Sequence, residues 1–291
     1  MENFFQQMLF GLSLGSTYAL IALAITLVFR GMDVINFAQG EFFMAGAFLG
    51  YVFHVDLDLS MWLALPLSMV SAFILGSLIE WVFLRKLEDN SNGFSLLVMT
   101  IALFIMMRAV AQLIFGSSAY RFPAMTDTVL KFGGIQISAQ YVIVICTTFV
   151  IMALLYVLFT RTSLGLQLRA VAQDKTTARM MGINVSKVNN MTFGLCSVLG
   201  AVAGIVYVPI AVLTFDMGQL IILKGFTAAL LGGLGLVSGA VLGGFSLGVI
   251  EQYGTLLLSS AYKDLVSFSI LLLIILLKPN GLLGKKQIQK V

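Results

Sequence analysis

The sequence predicts an all-α fold: a polytopic bundle of about eight to ten membrane-spanning helices, a single domain over residues 1–291, with a candidate inverted repeat. Three observations carry this. First, 59% of the 291 residues are hydrophobic and 10% charged, and mean hydropathy is +1.02. Soluble domains sit near about 45–50% apolar and about 25% charged. A soluble domain of this length has no interior for so much apolar surface, and a disordered chain would be polar and charge-rich. Second, the apolar residues form long, non-alternating runs. A helix needs about 20 such residues to cross hydrocarbon, whereas a barrel strand needs about 10 alternating ones. Third, the basic residues gather in the polar stretches between runs.

Nine runs follow in order, at roughly 5–29, 36–54, 62–84, 94–116, 140–160, 191–213, 219–236, 238–256 and 262–278. The first is opened by Phe10-Gly11-Leu12 and is long enough to span. The start, Met1-Glu2-Asn3, lacks a basic flank, so this run reads as a retained helix, not a cleaved leader. The second begins on the polar stretch Asn36-Phe37-Ala38-Gln39-Gly40-Glu41. The fourth carries Arg108, close enough to its outer end to snorkel outward. The sixth is opened by Phe193-Gly194-Leu195. The seventh and eighth are short and glycine-rich, so a broken or re-entrant pair is expected there. They also hold Lys224 and Glu251, two intramembrane charges placed to pair.

Basic loops stay on the cytoplasmic side. The longest polar stretch, 161–190, carries Arg161, Arg169, Lys175, Arg179 and Lys187 against Asp174, and is placed inside. The tail, with Lys285, Lys286 and Lys290, follows four crossings later. Arg30, Arg85 and Lys86 then fall inside, while Arg121, Lys131 and Lys263, with Asp56, Asp58 and Asp127, fall outside. The amino terminus is expected outside and the carboxyl terminus inside. A repeat is suggested by Phe10-Gly11-Leu12 against Phe193-Gly194-Leu195, Met32 against Met217, and Gln39-Gly40 against Lys224-Gly225. Five crossings separate the copies, so they would run in opposite directions.

Asn36, Gln39, Glu41 and Lys224 are the candidate pathway residues, because a buried polar group needs water, backbone or a ligand. Asn36 also fits the N-cap of the second run, and both readings stand at this point. In 161–190, residues 165–181 have a helical pattern that includes Gly165, Arg169, Ala170, Ala178 and Met181. Gly182 supplies the stop, Asn184 follows, and Asp174 or Thr176 is placed to cap. This reads as a docking element or as a basic helix on lipid headgroups. Gly235, Gly239 and Gly243 repeat every four residues, as on a close-packing helix face. No catalytic or metal site is expected. His54 is the sole histidine, Cys146 and Cys196 lie in apolar runs, and no phosphate-binding loop is present.

Several stretches, in order, resemble the permease subunits of branched-chain amino acid ABC importers, specifically the first of their two paired permeases. They are Gly15-Ser16-Thr17-Tyr18-Ala19-Leu20-Ile21-Ala22-Leu23, Ile35-Asn36-Phe37-Ala38-Gln39-Gly40-Glu41, Arg169-Ala170-Val171-Ala172-Gln173-Asp174 and Met181-Gly182-Ile183-Asn184. Leu231-Gly232-Gly233-Leu234-Gly235, Gly239-Ala240-Val241-Leu242-Gly243-Gly244 and Lys278-Pro279-Asn280-Gly281-Leu282-Leu283-Gly284 complete the series, which covers nearly the whole chain. Many relatives carry histidine at the position of Gln39, a departure that bears on substrate. The resemblance implies an inner-membrane permease for leucine, isoleucine, valine or similar small neutral amino acids. It implies a second permease, two cytoplasmic ATPases that use ATP-Mg, and a periplasmic binding protein as partners. It makes 161–190 the ATPase coupling loop. The chain itself would bind no cofactor or nucleic acid. Urea and short-amide importers have similar permeases, and a stand-alone channel or carrier is the other class to be distinguished.

Overall fold

A computed structural model of the chain describes residues 2–88, 93–126, 128–132, 135–278 and 280–284. Asp127, Lys285, Lys286 and Lys290 lie outside the described residues, as does Pro279. Every one of the nine apolar runs is helical. The membrane-length helices are α1 (Glu2–Met32), α3 (Met61–Ile79), α5 (Gly93–Phe115), α6 (Ala139–Arg161) and α9 (Val185–Tyr207). Helix α3 continues through a π-helical turn, Glu80–Leu84, into the short α4 (Arg85–Glu88). Between α6 and α9 lie two short helices, α7 (Ser163–Gln173) and α8 (Lys175–Met180). Helices α2 (Gln39–Tyr51), α10 (Met217–Gly232), α11 (Val237–Leu257) and α12 (Lys263–Leu277) complete the set. One departure from the all-α expectation is a small hairpin before α6, in which β1 (Val129–Phe132) pairs antiparallel with β2 (Ile135–Ser138).

Helix α1 is the axis of the bundle, with residues 13–28 all buried. It can be central because small residues let its neighbours approach. A Cβ on Gly15 would stand 2.8 Å from the Phe245 Cα, and one on Gly248 would stand 2.3 Å from the Gly15 nitrogen. Helix α11 presents a second small face to α10, where a Cβ on Gly243 would stand 2.0 Å from the Ala228 carbonyl oxygen. Gly239 likewise meets Gly232. Gly235 does not join this face. It lies in the turn between α10 and α11 at φ +86°, where glycine is needed for the backbone angle. The expected broken pair is present: α10 and α11 bend by 119° across that turn.

Three of the helices in the apolar runs are too short to cross alone: α2, α10 and α12, the last with 15 residues. Helix α2 has 13 residues and α10 has 16, about 20 and 24 Å at 1.5 Å per residue, against about 30 Å of hydrocarbon. Helices α2 and α10 each follow a long helix and run opposite to it. Gly31 near the end of α1 faces Asn189 near the start of α9, so the long helices are antiparallel. Helix α2 lies along α9 in the same direction, with Gly200 against Phe42, Ala201 against Gly46 and Ile205 against Gly50. Helix α10 lies along α1, with Gly225 on Ile21. The α1–α2 and α9–α10 units are therefore inverted copies of one arrangement. Their short helices meet N-terminus to N-terminus: a Cβ on Gly40 would stand 2.3 Å from the Gly218 oxygen, and one on Gly218 2.5 Å from the Gly40 oxygen. This corrects the expected register, since Gly40 corresponds to Gly218 and not to Gly225, and Met32 does not match Met217.

Candidate translocation and coupling sites

The polar stretch before α2 lies inside the bundle. After α1 ends, the chain turns at Asp33 (φ 59°) and runs back beside α5, where the Thr100 hydroxyl donates to the Ile35 carbonyl at 3.3 Å. Asn36 does not occupy the N-cap. That position is Ala38, two residues later than the sequence reading placed it, and the Asn36 Oδ1 accepts from the Ala38 N–H at 3.1 Å. Gln39 donates through Nε2 to the Cys196 carbonyl at 2.8 Å, at the midpoint of α9. Glu41 is fully buried in the first turn of α2, and neither carboxylate oxygen has a hydrogen-bond partner among the described residues. The Asn36 Nδ2 and Gln39 Oε1 are likewise unpartnered. Arg108 and Asp216 are the charged groups acting on Glu41. Arg108 does not snorkel outward as expected. It donates from Nη1 to the Gln219 Oε1 at 2.8 Å and lies over the Phe215 ring, which holds its guanidinium against the start of α10.

Lys224 joins a different cluster. Its ammonium is 2.9 Å from the Glu251 Oε1 and 2.8 Å from the Asp264 Oδ1. Glu251 also takes the Lys263 ammonium at 3.2 Å, the Tyr18 hydroxyl at 3.0 Å and the Ser267 hydroxyl. Four groups from α1, α10 and α12 thus converge on one fully buried carboxylate of α11. The expected pairing of Lys224 with Glu251 is present. Tyr18, Asp264 and Ser267 were missed, and Lys263 was read only as a loop charge. The adjacent Lys263-Asp264 at the head of the last apolar run was the available signal. A cavity of about 540 Å³ adjoins this cluster, lined by Lys224, Lys263, Asp264 and Asp216 and by apolar side chains of α2, α9 and α10.

The 161–190 stretch is not one helix. Asp174 splits it: its backbone is extended (φ −159°), and its carboxylate caps α8. One oxygen accepts from the Thr176 and Thr177 N–H groups at 2.8 and 3.2 Å, and the other accepts from the Thr177 hydroxyl at 2.8 Å. These bonds hold the Asp174 carboxyl below its usual range, the Thr177 hydroxyl contributing most. Thr162 caps α7 by accepting from the Gly165 N–H at 3.3 Å. Gly165 presses on the end of α6, where a Cβ would lie 2.3 Å from the Phe159 carbonyl oxygen, and Arg169 donates to that same oxygen at 2.8 Å. At the other end Gly182 adopts φ +83°, its N–H bonds Arg179, and the Ile183 N–H bonds Ala178. This paired ending stops α8. Asn184 then caps α9 by accepting from the Lys187 N–H at 3.0 Å. Leu168, Val171, Ala178, Val185 and Val188 form a small core of their own, with Ala170 half-buried against it. The outer face leaves Met180 and Met181 80% and 79% exposed. Lys175 reaches Asp33 at 3.4 Å, tying this loop to the turn that leads into α2.

Comparison with known proteins identifies the family. The profile of the family described as branched-chain amino acid transport system / permease component matches residues 7–275. The high-affinity branched-chain amino acid transport system permease protein BraD of Pseudomonas aeruginosa is 34% identical over 99% of this chain and 98% of its own. The corresponding permease protein LivH of Escherichia coli K12 is 33% identical over the same shares. Among solved structures, PsaBC from Streptococcus pneumoniae in complex with Fab is similar in fold, with a TM-score of 0.51 and 14% identity over 95% of this chain and 92% of that one. By the full-length profile match and these identities, the chain belongs to the family of branched-chain amino acid transport system permeases.

Proposed function

We propose that the chain is the membrane-spanning subunit of an ATP-driven importer that carries leucine, isoleucine, valine or similar small neutral amino acids across a bacterial inner membrane. The observation that carries the ATP-driven reading is the 161–190 loop. Its caps, its own small core and its junction with α6 make it a rigid body, and its outer face offers exposed methionines set among basic residues. Methionine suits a surface that must seat in a partner's groove. A helix resting passively on headgroups has no need of a defined break and a glycine stop. We place this loop and the carboxyl terminus in the cytoplasm and the amino terminus in the periplasm, on the distribution of basic residues. The partners are a second permease, two ATPases that bind and hydrolyse ATP-Mg, and a periplasmic binding protein. The pathway is assigned to the side of the bundle where Asn36, Gln39, Glu41 and Lys224 lie.

The test is extraction of the tagged chain from its native membranes in mild detergent, with mass spectrometry of what accompanies it. Recovery of a second permease and two ATPase polypeptides is expected. Met180→Asp with Met181→Asp should lose the ATPases and keep the second permease. Recovery of the chain alone after cross-linking, together with solute movement by the lone chain in liposomes, would instead make it a channel or carrier.

A further inference from the structure

We infer that the cavity beside Lys224 is a binding site for the zwitterionic head of an α-amino acid, an inference that rests on the amino acid reading above. The cavity is about 540 Å³ and partly open, ample for a ligand of leucine's size. Its chemistry is divided. Part of its lining carries opposite charges: Lys263, whose side chain is 31% exposed, and the carboxylates of Asp264 and Asp216. Asp264 is half-exposed and held by Lys224 at 2.8 Å, and Asp216 is exposed without an ion pair among the described residues. Another part is apolar and fixed, built by Phe43, Ile221 and the Tyr207 ring.

Each half matches one part of the ligand. An α-ammonium needs a free carboxylate, which Asp216 supplies. An α-carboxylate needs a cation that is not already saturated. Lys263 has a single carboxylate in ion-pair reach among the described residues, at 3.2 Å, and lines the cavity. Lys224, by contrast, is spent on Glu251 and Asp264, so it shapes the wall and offers no new bond. The side chain then lies on Phe43 and Ile221. A neutral amide such as urea would cover Asp216 without supplying a cation, and would bring Lys263 no charge beyond its existing pair with Glu251. Covering a charged group without a partner is costly. The site therefore discriminates between the two substrate classes that the sequence left open, in favour of the zwitterion. It discriminates poorly among leucine, isoleucine and valine, because one methylene in an apolar pocket changes binding little.

A cysteine at Val212, an exposed residue lining the cavity, reports occupancy. The experiment uses the full chain in native membranes, with Cys146→Ser to remove the exposed native thiol and Val212→Cys added, and reads the alkylation rate by N-ethylmaleimide. Leucine at millimolar concentration should slow labelling by about threefold or more, corresponding to occupancy of most sites. Isoamylamine, 4-methylpentanoate and urea, each lacking one or both charges, should leave the rate unchanged. Asp216→Asn and Lys263→Gln should each abolish protection by leucine, and Lys263→Arg, which keeps the charge, should retain it. Equal protection by isoamylamine would make the cavity a merely apolar groove. Protection that survives both Asp216→Asn and Lys263→Gln would also overturn the assignment. The same membranes are assayed for ATP-dependent leucine uptake. Uptake without protection overturns this site alone, whereas absence of uptake with no accompanying ATPase overturns the importer reading.

Discussion

Substituting Gly40 with alanine tests the meeting of the two short helices. The added Cβ would stand 2.3 Å from the Gly218 carbonyl oxygen and 2.8 Å from the Ile222 Cβ, against an ordinary contact of 3.4–4 Å. The first of these is a backbone atom, so no rotamer change relieves it. The helices must part by about 1 Å, and overpacking of this kind costs about 1–3 kcal/mol. Alanine returns up to about 1 kcal/mol of helix propensity relative to glycine. A net loss of about 2 kcal/mol is expected, lowering the midpoint of thermal unfolding in detergent by about 4–8 °C. Gly31→Ala is the control. Its nearest neighbour is the Asn189 Oδ1 at 3.4 Å, so it should be neutral or slightly stabilising. Gly218→Ala should resemble Gly40→Ala, because its Cβ would stand 2.5 Å from the Gly40 oxygen. The double variant should lose less than the sum, since one separation accommodates both methyl groups. Equal melting of Gly40→Ala, Gly31→Ala and the parent would refute the N-terminus-to-N-terminus contact.

Other outcomes follow from the remaining geometry. Glu251→Leu leaves the buried Lys224 with Asp264 alone and should cost about 3–5 kcal/mol, while Lys224→Met with Glu251→Leu should recover most of it. Differential scanning fluorimetry of the single and double variants checks this, and a double variant as unstable as the single would show that the ion pair is not the cause. Gly182→Ala should cost about 1–2 kcal/mol through backbone strain alone, since φ is +83° and nothing lies within 4 Å of an added Cβ. Limited proteolysis at 175–184 measures that loosening, and a rate equal to the parent's would count against the glycine stop. The Asp174 carboxyl is lowered in the fold by its bonds to Thr177 and Thr176. Its capping is therefore fully present above the ordinary aspartate pKa, and is lost only as pH falls through the lowered value. Amide exchange at Thr176 and Thr177 should accelerate at that pH and not near neutrality, and Asp174→Asn should remove the pH step.

The fold class and the helical character of the nine apolar runs were legible because hydropathy alone places a chain in or out of a membrane, and run length alone marks a helix. The number of spans was not legible. Five helices among the described residues, or six with the bent α10–α11 pair, are long and apolar enough to cross, against about eight to ten expected from run length. The caps around 174 and 182 were legible for a similar reason. Asp, Thr and Gly at a helix boundary act on their own neighbours, so the local sequence holds the information. The break at Asp174 was missed because residues 165–181 keep a helical hydrophobic pattern across it, and a single extended residue leaves that pattern nearly intact. Gly235 was misassigned because a four-residue spacing is indifferent to where a helix starts. Arg108 was misread because its partner, Gln219, lies 111 positions away, and spacing within one helix cannot report a contact between two. Tyr18 and Ser267 were hidden for the same reason, as hydroxyls in apolar runs that gain meaning only when α11 brings Glu251 between them.

The short helices explain why the polar groups lie where they do. A backbone inside hydrocarbon must satisfy its own N–H and C=O groups, so non-helical chain at that depth is tolerated only inside protein or against water. Ending α1 and restarting at α2 opposite the middle of α9 brings such a segment, residues 33–38, into the bundle. Residues 208–216 do the same before α10, with a short 3-10 turn over Val208–Ile210. Asn36 and Gln39 bind the first of these segments to itself and to α9. The glycines at 40, 46, 200, 204 and 218 let the surrounding backbones close over it. Glu41 is then the residue that packing does not explain. An apolar side chain of similar volume would fill its place at no electrostatic cost, whereas a fully buried carboxylate with both oxygens unpartnered is expensive. Such a cost is sustained at functional positions. Glu41→Gln, which keeps the shape and removes the ionisable carboxyl, should therefore preserve or raise thermal stability and reduce ATP-driven uptake. A variant that gains stability with uptake intact would return Glu41 to a structural role.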